Sequence, residues 1–116
     1  MNIVILKGVL SRAPESRELP SGDRLAAFEV TIREPDQPTA SVPVVWFAPP
    51  ERALRIAAGS EVVVAGRVRR RFFRTGGGTG SRTEVVAWQV LPASQRARVA
   101  AVTGAAAELI AAGATA

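Results

Sequence analysis

Between Val62 and Arg82 the chain reads VVVAGRVRRRFFRTGGGTGSR, and this run narrows the fold more than any other. It opens with the alternation of a strand, and the glycines that follow mark a turn. An apolar stretch from about Arg82 to Leu91 supplies the return strand, and Pro92 ends it. The expectation is a β-hairpin with a flexible tip over residues 76–80. Alternation splits its first strand into two rows: Val62, Val64, Gly66, Val68, Arg70 and Phe72, against Val63, Ala65, Arg67, Arg69, Arg71 and Phe73. The first row begins as valines and is expected to face a core, with Phe72 packed inside. The second becomes arginines ending in an aromatic ring, the pattern of a phosphate track leading to a platform for bases. A solvated strand face, or a guard against edge pairing, is its other reading.

Arg67, Arg69, Arg70, Arg71, Arg74 and Arg82 lie in this run with no acid among them. The chain carries a formal net charge of +5, so everything outside the run sums to −1 (5 − 6). The positive character therefore belongs to one hairpin. Arginine outnumbers lysine 14 to 1, a bias that a GC-rich genome explains, but such a bias does not explain the clustering.

At 116 residues the chain is long enough for one domain with a real core. It has neither cysteine nor histidine. Disulfides, thiolate or imidazole metal sites, and Ser-His or Cys-His nucleophiles are thereby excluded. The ten acids are scattered, so no enzyme, no metal site and no cofactor is expected. The apolar run of MNIVILKGVL is too short for a signal peptide, and nothing approaches the roughly 18 apolar residues of a membrane span. A cytoplasmic, nucleoid-associated location with no membrane partner is the expectation. The GGGTGS tip lacks the lysine and the following helix that a phosphate-binding loop needs.

In chain order, Asn2 to Leu10 reads as a strand, residues 11–19 as irregular, and Pro20-Ser21-Gly22-Asp23 as a turn. Leu25 to Arg33 alternates, with Ala26, Phe28, Val30 and Ile32 on the buried side. Val42 to Phe47 is a third strand. A short helix over about residues 50–58 starts at Pro50-Glu51 and stops at Gly59. The hairpin supplies strands four and five. Five strands with a helix between the third and fourth give an all-β, Greek-key OB-fold barrel, in which the loop after strand four is one of two that contact oligonucleotides. The barrel should occupy residues 1–92. Residues 93–116 then form an added helix, capped by Ser94, that docks on the barrel or on another subunit, or else frays.

The pattern Asn2-x-Val4-x-Leu6-x-Gly8-x-Leu10, Pro14-Glu15-x-Arg17, Gly22 and Phe28-x-Val30 resembles the bacterial single-stranded DNA-binding protein family. The resemblance continues through Val44-Val45-x-Phe47, Gly59-x-x-Val62-x-Val64-x-Gly66-Arg67 and Glu84-Val85-x-Ala87. It implies a homo-oligomer of OB folds, a tetramer or, as in the related primosomal adaptor, a dimer, binding single-stranded DNA in replication, recombination or repair without sequence preference. The chain departs from the family at Ser41-Val42-Pro43 and in the loop before it, where family tryptophans are missing. The expectation is a short, specialised member without the acidic tail that recruits partners.

The resemblance implies stacking at Phe47 and Phe73. Strand parity alone leaves Phe47 and Trp46 undecided, and Trp88 is expected in the core or at a subunit interface. The expected DNA-binding set is Phe47, Arg67, Arg69, Arg71, Phe73, Arg74 and Arg82. Lys7, Arg12, Arg17, Arg24 and Arg33 are weaker candidates, because acids stand near several of them. The alternative is an adaptor-like interaction module that bridges replication proteins and binds DNA weakly. RNA is a third ligand to test, since stacking and charge do not read a 2′-hydroxyl.

Overall fold

In a computed structural model, which describes residues 1–113, the chain forms a six-stranded sheet closed on itself, with a helix on its outside. The strands are β1 (Val4–Leu10), β2 (Glu15–Glu18), β3 (Arg24–Ile32), β4 (Ala40–Phe47), β5 (Glu61–Thr75) and β6 (Gly78–Pro92). The helices are α1 (Glu51–Leu54) and α2 (Arg96–Gly113). The order β1-β5-β6-β4-β3-β2 closes where β1 meets β3 through Val9↔Thr31 and Leu10↔Val30. The β4–β6 pairing is parallel, at Val44↔Val85 and Val45↔Val86, and the other pairings are antiparallel. Leaving β2 aside, this is the expected OB-fold barrel, with α1 between its third and fourth strands.

The core is filled by the rows that alternation assigns to it. Ala26, Phe28 and Val30 meet Val44, Trp46, Val62, Val64, Val85, Ala87 and Val90, with Leu10 and Ile56 closing the ends. Ile32 is only partly buried and packs at the edge of this cluster.

Three expectations about elements need correcting. Residues 15–18 are a strand, not irregular chain. Glu15 to Glu18 pair with Ala27 to Arg24, yet all four side chains face water, so no apolar alternation announces them. The helix after β4 is shorter than residues 50–58. Beyond Leu54 the chain turns so that Ile56 enters the core and Gly59 N–H donates to Leu10 C=O at 2.8 Å, which a continued helix would forbid. The tip is also tighter than residues 76–80. Only Gly76 and Gly77 turn, and Gly78, Thr79 and Gly80 already pair with Thr75, Arg74 and Phe73.

The hairpin also bulges. Ala65 pairs with Gln89 but Gly66 with Ala87, leaving Trp88 as the extra residue. Trp88 is therefore 41 % exposed and not in the core. At Gly66 the strands come so close that a Cβ would sit 2.2 Å from the Val86 carbonyl oxygen.

The helix α2 begins at Arg96, two residues after the expected Ser94 cap. It packs against β5 and β6, burying Ala106 and partly covering Val99, Val102 and Thr103. At its far end Gly113 lies against Met1. Val63, Ala65 and Leu91 point away from the barrel core and are nevertheless buried, which fits a helix laid over that face. Leu109 and Ile110 stay about half exposed, so docking of α2 is partial. The last residues of the expected 93–116 segment, 114–116, lie outside the described residues. Among the described residues no helix is long and apolar enough to cross a membrane.

Candidate nucleic-acid interface

From Gly66 onward the β5–β6 register runs without a slip to Thr75↔Gly78, so side-chain parity holds along the whole projecting arm. One face, called the front here, carries Arg67, Arg69, Arg71 and Phe73 on β5. It carries Val86, Glu84 and Arg82 on β6, which stand opposite Arg67, Arg69 and Arg71. Through the Val45↔Val86 pairing this face continues onto β4 as Val45 and Phe47. The structure thus settles what parity left open. Trp46 is in the core, with the Arg52 guanidinium 6.0 Å from its ring centroid, and Phe47 is 41 % exposed on the front face.

Each front aromatic ring lies under an arginine. The Arg69 guanidinium is 5.3 Å from the Phe47 centroid and that of Arg71 is 5.7 Å from Phe73, within cation–π range. Glycine makes room for the second ring, because a Cβ at Gly80 would meet Phe73 Cε2 at 2.6 Å. Both arginines also converge on one acid. Glu84, only 2 % exposed, accepts from Arg69 Nε at 2.8 Å through Oε2, which lies 2.7 Å from Arg69 Nη2, while Arg71 Nε stands 3.4 Å from Oε1. This convergence has a physical reason. Arg71 sits directly opposite Arg82, and like charges so placed repel. Glu84, one step along the same face, draws Arg71 away and holds Arg69 beside Phe47.

Of the residues expected to bind, Phe47, Arg67, Arg69, Arg71, Phe73 and Arg82 come together on the front face. Arg74 shares the parity of Arg70 and Phe72 and faces the other way. The expectation that Phe72 packs in the barrel is overturned: it is 68 % exposed, because β5 has left the barrel by that point. Among the described residues Arg67 and Arg82 have no ion pair, whereas Arg69 and Arg71 share one. The weaker candidates are mostly occupied: Lys7 by Glu61, Arg12 by Glu29, Arg17 by Glu15 and Arg24 by Glu51. A shallow cleft of about 70 Å³ on the front face joins Arg12, Arg17, Arg71 and Arg82 to Glu15, Glu29 and Glu84, so its wall is mixed in charge. A roomier cleft of about 420 Å³, beside β1 and the end of β3, contains none of the expected binding residues.

Glu84 is the residue that sequence reasoning missed as part of the site. The signal was available in the pairing register. A turn at Gly76-Gly77 puts Glu84 opposite Arg69, but a tip spread over 76–80 leaves that register unset.

No curated protein matches this chain. The single-strand binding protein family matches over residues 1–92, which is the whole barrel. The chain belongs to that family, a non-enzymatic family of single-stranded DNA-binding proteins.

Proposed function

We propose that this member of the single-strand binding protein family carries DNA on the front face of β4, β6 and β5. Bases stack on Phe47 and Phe73, and phosphates lie against Arg67, Arg69, Arg71 and Arg82. The observation that carries this reading is the pair of rings set on one face under two arginines, with Glu84 beneath. Such a face offers π-surfaces and charge but no array of polar groups aimed at base edges, so it takes strands without strong sequence preference. We extend the proposal to a homo-oligomer working in replication, recombination or repair. An exposed Ile5 on β1, whose Val4–Gly8 stretch pairs only with β5 among the described residues, supports self-association.

Titration of labelled oligo-dT at several salt concentrations tests the reading. If only the unpaired Arg67 and Arg82 engage phosphates, log affinity falls with log salt at a slope of about −1.4. If all four front arginines engage, the slope is about −2.8. Changing either Phe47 or Phe73 to Ala costs about 1–3 kcal/mol. Binding that ignores both salt and the rings would overturn the reading. Mass in solution, with and without oligo-dT, reads the oligomeric state.

A further inference from the structure

The reverse face of the arm has a composition of its own. Arg70, Phe72 and Arg74 stand at alternate positions on β5, so they form one row spanning about 13 Å from end to end. Phe72 is the most exposed phenylalanine of the chain, at 68 %. Its neighbours across the ladder are small and polar: Thr83 opposite Arg70, Ser81 opposite Phe72 and Thr79 opposite Arg74. Nothing across the strand pair therefore covers the ring. Both arginines are exposed, and among the described residues neither has an ion pair or a hydrogen bond through its guanidinium. No acid occurs anywhere in residues 62–83. On the front face the two ring-covering arginines are already held by Glu84; on the reverse face two arginines flank an uncovered ring and hold nothing.

We propose that this row is a second contact for single-stranded nucleic acid. Phe72 stacks one base, and Arg70 and Arg74 take the phosphates on either side of that nucleotide. A strand leaving the front face then passes over the edge of the arm and is gripped on both sides of it. The inference rests on the proposed function above, because it assumes that the protein binds single strands at all. An exposed ring between two unpaired cations suits a ligand that alternates planar apolar groups with anions, which describes a polynucleotide. A second copy of the arm fits poorly, since it brings arginine to arginine.

The test uses the full chain with the variants Phe72→Ala and Arg70→Gln/Arg74→Gln, all at exposed positions where the fold tolerates change. Binding to a long oligo-dT is compared with the wild type and with Phe47→Ala/Phe73→Ala. The expected result is that Phe72→Ala weakens binding about tenfold, within the range for one lost stack. The double arginine variant lowers the salt slope by about 1.4. Iodouracil-substituted oligonucleotide should photocrosslink to Phe72 as well as to the front rings. Wild-type affinity, slope and crosslinking pattern in the reverse-face variants, alongside weakened binding in the front-face variant, would overturn this inference and leave the front-face reading standing. Failure of the wild type to bind would remove both. A shift in oligomeric mass with unchanged DNA affinity would mark the row as a protein contact and overturn the inference.

Discussion

The two halves of β5 obey the same alternation and end in opposite circumstances. From Val62 to Gly66 both faces are buried, with the barrel core under Val62 and Val64 and α2 on the side of Val63 and Ala65. From Arg67 to Thr75 there is neither core below nor helix above, and eight of the nine residues are exposed. The boundary is Gly66, opposite the bulge at Trp88. A bulge bends and twists its strands, so this one aims the outer half away from the barrel as an arm. One strand thus has an anchoring half and a working half. Alternation fixes which residues share a face, but only the neighbouring elements decide whether that face is covered.

The comparison can be broken at its hinge. Gly66→Ala puts a methyl group onto the Val86 carbonyl, where only backbone can yield. It should cost about 3 kcal/mol or more, read as a lowered denaturant midpoint. Glu84→Gln comes next. It leaves Arg69 and Arg71 without their acid, but those side chains are 31 % and 46 % exposed, so water relieves them. A loss of about 1.5–3 kcal/mol is expected, as for a hydrogen bond to a charged group. The same variant should bind oligo-dT more tightly at low salt, because a competing carboxylate is gone; weaker binding would mean that Glu84 serves mainly to hold the arginines over the rings. The smallest effects sharpen the comparison directly. Val64→Ala, in the anchoring half, should cost about 2 kcal/mol in burial and cavity terms. Val68→Ala, four residues on and of the same parity but 40 % exposed, should cost less than about 0.5 kcal/mol. Equal losses at the two valines would show that the outer half is held as firmly as the inner.

Much of the barrel was legible in the sequence because burial there is one-sided and alternation reports it. Ala26, Phe28 and Val30 were placed correctly for that reason. The strand Glu15–Glu18 was not legible, since a strand pairing by backbone alone leaves no apolar trace. Phe72 was misplaced because valines at the start of a row say nothing about where the core ends. In the candidate site the residue types and their rows were readable, and so was the separation of Phe73 from Phe72. The ion pairs to Glu84 were not, because they depend on a register that only the length of the turn sets. Arg74 went to the reverse face for the same reason that Arg71 stays on the front: parity holds without a slip through the arm.

The turn at Gly76-Gly77 has a consequence for how the chain reaches this state. The longest ladder in the molecule, from Val62↔Pro92 to Thr75↔Gly78, is closed by its shortest link. Starting at the tip, each further pair adds only a short loop to close, so little chain entropy opposes zipping. Two other seams of the barrel differ. β1 must find β5 across the whole stretch between Leu10 and Glu61, and β4 must find β6 across α1 and β5. The part of this ladder nearest the turn, which is cheapest to assemble, is thus one that the finished protein leaves mostly exposed. The arm is anchored by the inner half, whose further partners on β1 and α2 come from distant parts of the chain.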